Sequence, residues 1–406
     1  MSFELGVMRA PPRILFGAGQ RRALGLAASQ LGKRALICTD TRLAGLPVMR
    51  EVCADLGEHG LKVEVFPDTQ PELPVEGVHA CVEQYRAFNP DVIIGFGGGS
   101  CLDLAKLVSL LLTHGGPLSN YYGEFKVPGP VVPMILMPTT SGTGSEVTPV
   151  AVLGDPEREM KVGISSPELI PHMAICDPEL TLTCPPGLTA LSGADALGHA
   201  IEAFAAVSRP PTPDLAFKRV FVGKNALSDH HARTAIRLIF KWLPTAVRDG
   251  GNLEARSAVM MASMLAGMAF STAGTGAAHA IQYPIGALTH TAHGLGIGVL
   301  LPYTMSFNEP AAGEIYEEIV DIVGIPAPNG NRAQAAIAAV KKLFAEIGIP
   351  VGLDALGVSE KDIDWVAERS ILATRLVENN RRELNAAGAA SIVREALGVS
   401  AKANVE

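Results

Sequence analysis

From Ser257 to Asn308 the chain carries no Asp, Glu, Lys or Arg, and inside that run the stretch AHAIQYPIGALTHTAHG holds His279, His290 and His293. So long an uncharged run belongs where water is scarce, in a membrane or in a protein interior. The membrane alternative fails on composition: Gly, Ser, Thr, Gln, His and Pro interrupt every window long enough to span, and no basic cluster marks an inner flank. The run is therefore expected to form the interior of a soluble protein. Its histidines are either ligands or core filling.

The bulk composition agrees. A chain of 406 residues, 48% hydrophobic and 18% charged, has room for two or three domains with sizeable cores. A net charge of −8 without any Lys/Arg run argues against nucleic acid or an anionic membrane as the main partner. The start, MSFELGVMRAPPRILFGAG, has no basic segment followed by an apolar one, so export is not expected. Cys38, Cys53, Cys81, Cys101, Cys176 and Cys184 show no CxxC spacing and read as reduced, buried small hydrophobes of a cytoplasmic protein.

The first half alternates short apolar strands with helical segments. RALICTD ends near Asp40, KVEVFPD near Asp68, DVIIGFGGGS at Ser100 and VPMILMPTT at Thr140, the alternation that builds a parallel sheet with crossover helices. From about Ala190 the periodicity is helical, as in EARSAVMMASMLAGMAF, where Met260, Met264 and Met268 recur every fourth residue as a core stripe. The expected organisation is an α/β domain over residues 1–184 and an all-helical domain over residues 185–406, divided near Pro185 and Pro186.

Two loops can carry ligand chemistry. GFGGGSCLDLAK follows an apolar strand and opens a helix, so its glycines and the helix N-terminus can approach a phosphate. Ser100 with Asp103 also fits a plain capping box. PTTSGTGSE, residues 138–146, follows another strand, and two such loops at the carboxyl ends of parallel strands mark the crevice of a doubly wound fold. Asp40, at the end of an earlier strand, can accept hydrogen bonds from a ribose and repel a 2′-phosphate, or serve as an ordinary turn residue.

A metal-like pattern lies further on, in SGADALGHAIEAF. Asp195 and His199 are four apart, sharing a helical face on which a carboxylate and an imidazole can meet one cation, and Glu202 follows three later. His279 and His293 would share a face of a straight helix but lie about 21 Å apart along its axis, too far for one ion. Pro284 and Gly286 are expected to interrupt that helix and fold the second histidine back. The residues alone permit either His279 with His293 or the closer pair His290 and His293.

Taken together, FGAGQ at Phe16–Gln20, GGGSCLDLAK, PTTSGTGSEVT, Lys161, DPEL at Asp177, the D-x-x-x-H segment and the H-x13-H pair resemble the iron-dependent (group III) alcohol dehydrogenases over nearly the whole chain. The resemblance implies a Rossmann-like N-terminal domain binding NAD(P), an all-α C-terminal domain carrying the metal, and an active site between them. This is the dehydroquinate synthase-like fold. By residue match it implies Asp195, His199, His279 and His293 as ligands of Fe²⁺ or Zn²⁺, with His290 left as a packing or outer-sphere residue. It assigns Gly97, Gly98, Gly99 and Ser100 to the cofactor pyrophosphate, with Asp103 on the same helix among the cofactor residues. By the same resemblance Thr139, Thr140, Thr143 and Ser145 would surround the rest of the cofactor, Lys161 would lie near a ribose, and Asp40 would favour NAD over NADP. The implied activity is hydride transfer between a small alcohol or aldehyde and NAD(H), the metal acting as a Lewis acid, and a homodimer is expected.

Two features depart from that pattern. Many members carry a histidine four residues after the first H-x13-H ligand as a proton relay; here Tyr283 stands there. A phenol with a pKa near 10 is a poor base at neutral pH, so the relay falls to water, the ribose hydroxyls or His290, or Tyr283 only packs. The segment RPPTPDLAFKRVFVGKNALSDHHARTAI, Arg209 to Ile236, is longer than in compact members. Both features look more like the hydroxyacid–oxoacid transhydrogenase branch, which moves hydride between two small molecules with a tightly held nicotinamide. If the segment packs over the cleft it would slow cofactor release, and otherwise it is a surface insertion on an ordinary dehydrogenase. A sugar-phosphate cyclase of related fold would need basic residues in the cleft, which the uncharged 257–308 run does not offer, and a non-catalytic sensor has no use for an open metal site beside a nicotinamide. Apolar, uncharged walls favour small neutral alcohols and aldehydes over sugar phosphates or dicarboxylates, while helix dipoles or an unassigned Arg can still hold a carboxylate.

Overall fold

The strands come from short apolar segments whose alternate side chains enter two different cores. In the computed structural model, which describes residues 5–158, 160–327 and 330–399, nine strands occur: β1 (Arg13–Phe16), β2 (Arg34–Cys38), β3 (Lys62–Phe66), β4 (Val92–Gly97), β5 (Gly123–Glu124), β6 (Met134–Pro138), β7 (Val150–Asp155), β8 (Met160–Ser165) and β9 (Met173–Cys176). Six form one parallel sheet in the order β1-β9-β6-β4-β2-β3. Leu36, Ile93 and Leu136 enter one core, while Ile37, Ile94 and Ile135 enter the other. Helices cover both faces, which is why β4 and β6 are buried throughout and read as continuous apolar runs.

The four strands expected from the βα alternation are β2, β3, β4 and β6. β1 and β9 are four residues each, too short to show a period, and they complete one edge of the sheet. The antiparallel pair β7–β8, with β5 beside β8, forms a separate small sheet directly after the second glycine-spaced loop. All six cysteines are free, and five of them are buried.

Helices that position the site are α1 (Gly99–His114), α2 (Pro186–Phe204), α3 (Ala226–Arg248), α4 (Leu253–Ala273), α5 (Ala277–Thr289) and α6 (His293–Val323). After β9 ends at Cys176 the described residues form no further strand, only helices. The uncharged run spans most of α4, all of α5 and the first half of α6, and most of it is buried in the helical core. No single described helix is long and apolar enough to cross a membrane, and α4 and α5 meet at 103°. Met260 and Met264 pack with Val147, Ala174 and Cys176 where α4 lies against the sheet domain, with Met268 beside them, so the methionine stripe is core.

Pro284 does not end its helix, contrary to expectation. It sits inside α5 between the fully buried Ile281 and Ile285, whose packing offsets the cost of about 3 kcal/mol that a proline carries inside a helix. The reversal comes later, at His290, which caps α5 in the left-handed conformation (φ 55°) so that α6 starts afresh at His293.

Candidate active site

A cavity of about 550 Å³ opens at the carboxyl ends of β4 and β6 and is closed on its other side by α2, α5 and the start of α6. Gly98, Gly99 and Ser100 at the N-terminus of α1 form one wall, and Thr139, Thr140, Thr143 and Ser145 of the loop after β6 form the next. Both loops need glycine at points of contact. A Cβ on Gly99 would lie 2.5 Å from Thr143 Cγ2. Gly144 has φ +60° and packs so closely on α4 that its Cβ would lie 2.5 Å from Gly267 Cα. The second contact ties the loop to the helical domain. Gly97 ends β4 just behind the wall rather than within it.

The capping box suggested by Ser100 and Asp103 is not formed, because Gly98 is the N-cap and no side chain caps the helix. Asp103 turns instead to the second loop, accepting from Ser145 Oγ at 2.6 Å and from Val152 N at 3.0 Å. Burial raises its carboxyl above the usual range, against the pull of Lys106. One turn further on, the fully buried Lys106 donates through Nζ to the carbonyls of Ser145 (2.7 Å), Thr148 (2.9 Å) and Val150 (2.7 Å), and burial pushes its ammonium down to about 8. Sequence reasoning passed over Lys106. Its signal was a lone Lys, one turn after Asp103, in the mostly apolar helix GSCLDLAKLVSLLL.

Lys161 on β8 reaches the same cavity, where its ammonium pairs with Glu72. Asp40 also lines the cavity, with Arg42, its Oδ1 accepting from Leu43 N at 2.8 Å as the N-cap of a short helix. The turn role and a place in the cavity wall therefore coexist.

Asp195, His199, His279 and His293 come together from three helices. Asp195 Oδ1 lies 3.9 Å from His199 Nε2, 3.8 Å from His279 Nε2 and 3.6 Å from His293 Nε2, all beyond hydrogen-bond range. Atoms that share a tetrahedral ion at about 2.1 Å stand about 3.4 Å apart, so this spacing leaves room for a cation. Asp195 Oδ1 and His279 Nε2 are buried without any hydrogen-bond partner, an arrangement that is costly in a dry site unless an ion satisfies them. Burial pushes the Asp195 carboxyl up to about 7 and holds the His199 and His293 imidazoles well below their usual range. Neutral imidazole is the ligand form.

The far side of two rings is also engaged. His199 Nδ1 meets Gly142 O at 3.3 Å, and His279 Nδ1 meets the Glu202 carboxylate, so each Nε2 is left with its lone pair toward Asp195. Glu202, three residues after His199, faces the outer side of His279, one helix away. Phe270 stacks on His199 with ring centroids 4.4 Å apart, and Tyr283, one turn after His279, sits 6.3 Å from the His293 ring and lines the cavity.

His290 is exposed and outside the cavity wall. The pairing of His290 with His293, the packing role and the relay role for His290 all fail on that placement, since its left-handed cap geometry turns it to the surface.

The segment from Arg209 to Ile236 does not cover the cleft. None of its residues lines the cavity. It is clamped elsewhere: Arg9 donates to Ala216 O at 2.6 Å, and Glu124 accepts from the backbone N–H groups of Val220 and Phe221. The G-x-N-x-x-SD signature is a helix start, with Asn225 and Ser228 forming the capping box of α3. The lid argument for a transhydrogenase loses its structural basis.

Comparisons with known proteins give the chain its relatives. The profile described as iron-containing alcohol dehydrogenase matches residues 11–178, and that of the Fe-containing alcohol dehydrogenase family, C-terminal, matches residues 189–397. The NAD-dependent methanol dehydrogenase of Bacillus methanolicus is 35% identical over 391 residues, covering 95% of this chain and 98% of that protein. The sulfoacetaldehyde reductase of Bilophila wadsworthia is 35% identical over 376 residues, covering 91% and 93%. Among solved structures, a 1,3-propanediol oxidoreductase superposes with a TM-score of 0.89 at 34% identity, over 97% of this chain and 100% of that one.

Proposed function

This chain belongs to the iron-containing alcohol dehydrogenase family, and from that premise we propose that its cleft moves hydride between a small alcohol or aldehyde and NAD(H), with Asp195, His199, His279 and His293 holding one Fe²⁺ or Zn²⁺. The observation that carries this reading is the convergence of three Nε2 atoms on the orphaned Asp195 Oδ1. Three imidazoles and a carboxylate suit a borderline divalent ion, and no thiolate competes. When bound, the ion supplies a Lewis acid for the substrate oxygen, and the nicotinamide supplies the hydride-accepting carbon.

The chain's own residues do the rest. Backbone N–H groups at Gly98, Gly99 and Ser100 offer the pyrophosphate a helix N-terminus. Asp103 and Lys106 fix the loop that carries Thr143 and Ser145, so the nicotinamide end meets a wall ordered in advance. Asp40 faces the adenosine ribose, and Lys161, held by Glu72, faces the other ribose. Burial raises the Tyr283 phenol, so it holds its proton through the neutral range and acts as a hydroxyl rather than a base. We take residues 1–184 as the nucleotide domain and 185–406 as the metal domain, with the cleft between them.

The test is direct. Protein stripped of metal and reloaded anaerobically with Fe²⁺ or Zn²⁺ is given NAD and a panel of primary alcohols, and reduced nicotinamide is followed by absorbance. Turnover that disappears with the metal and returns on reloading is expected. Undiminished turnover after complete metal removal overturns the reading.

A further inference from the structure

The names of the relatives span a neutral alcohol and a sulfonate-bearing aldehyde, so likeness leaves open the charge of this chain's substrate. The cleft carries information on that point. With α2, the uncharged run supplies most of its helical wall, but a cation enters from elsewhere: the short helix Thr374–Val377 packs against α5 and brings Arg375 into the cavity lining, together with Tyr283, Thr275 and His279. The Arg375 guanidinium lies over the Phe221 ring, 4.4 Å from its centroid. Phe221 is itself fixed, being buried and flanked by the bond from Val222 N to Thr272 O at 2.7 Å. The long Arg209–Ile236 segment thus contributes a platform for a cleft residue rather than a lid.

Arg375 makes no ion pair with a carboxylate among the described residues. The other cations of the lining differ. Lys161 is neutralised by Glu72, and Arg42 is exposed and lines the cavity together with Asp40. Of the carboxylates near α5, Asp195 faces the imidazoles and Glu202 is occupied by His279 and by Ala278 N at 2.7 Å. Arg375 is only partly exposed, and among the charges acting on the buried Tyr283 phenol its own is the strongest. A guanidinium held on an aromatic face in a partly dry pocket presents a rigid fork of donors, whose natural complement is a planar oxyanion.

We propose that the substrate is an alcohol or aldehyde bearing a carboxylate at its far end, and that Arg375 binds that carboxylate while the oxidised carbon lies toward His279 and His293. The inference rests on the dehydrogenase reading and adds the substrate class. The pocket therefore selects by charge at the end remote from the reacting carbon.

The experiment uses metal-loaded protein with saturating NAD and two matched series of three to five carbons, ω-hydroxycarboxylates and the corresponding neutral 1-alkanols. At one chain length or more the carboxylate is expected to show the higher kcat/KM. Arg375→Met is expected to lower the carboxylate-to-alkanol ratio by about tenfold or more, with Arg375→Lys intermediate because it keeps the charge and loses the fork. A ratio unchanged in Arg375→Met, or neutral alcohols preferred at every length by the wild type, overturns the proposal while leaving the dehydrogenase standing. A raised KM for NAD with an unchanged substrate ratio assigns the guanidinium to the cofactor and also overturns it. Failure of both series to reduce NAD in metal-loaded protein sinks the dehydrogenase reading itself.

Discussion

The Glu202 carboxylate holds His279 from behind: one oxygen meets the ring at Nδ1, and the other accepts the backbone N–H of Ala278 at 2.7 Å. The contact is buried and joins α2 to the first turn of α5. It sets both the tautomer and the ring plane of His279, leaving Nε2 to face Asp195.

From that relationship, Glu202→Gln is expected to weaken metal binding by about 10- to 100-fold, because an amide orients the ring without raising its basicity. Competition of the reloaded protein against a chelator measures it. Unchanged affinity would mean that Glu202 only anchors α5.

Loss of a ligand has a harsher outcome than loss of its support. His279→Ala is expected to lose metal and activity together, whereas His290→Ala keeps its metal, since His290 lies on the surface. Elemental analysis after desalting separates the two variants, and full metal retention in His279→Ala rules the assignment out.

Tyr283→Phe is expected to reduce kcat by less than about tenfold, a smaller loss than removal of a general base produces. Its phenol titrates above its ordinary value, so no ionisation of Tyr283 shapes the rate between pH 6 and 9. The pH profile of the variant should overlay that of the wild type apart from scale. Loss of a basic limb in this range would show that Tyr283 does ionise there.

At the adenosine end, NAD is expected to be preferred over NADP, and Asp40→Gly should narrow the gap, because the carboxylate would meet a 2′-phosphate with like charge. Arg42 remains beside the site to receive that phosphate once Asp40 is gone. The variant also loses the side-chain cap on Leu43 N, a cost of roughly a few tenths of a kcal/mol because glycine is itself a good N-cap, and thermal unfolding reads it separately. Equal use of NADP by the wild type would place Asp40 away from the ribose.

Much of this protein was legible before any folding. β2, β3, β4 and β6, the two glycine-spaced loops, the helical second half and the Asp195–His199 pair were readable, because apolar period, turn residues and i,i+4 spacing are local properties of the chain, whereas the choice of His279 and His293 to join that pair came from the family resemblance. Short elements were not: β1 and β9 exist by pairing with each other and with β6, and four residues cannot show a period. The sequence narrowed the histidine pairing but mislocated the turn that decides it, since Pro284 is retained by the packing of Ile281 and Ile285 and the reversal falls at His290. Tertiary structure alone decided that Glu202 backs His279, that Lys106 and Asp103 carry the second loop, that the Arg209–Ile236 segment avoids the cleft, and that Arg375 enters it. Each of these joins residues from different elements. Periodicity specifies which face of an element is apolar, whereas the particular groups that meet across those faces are set by close packing of the whole core.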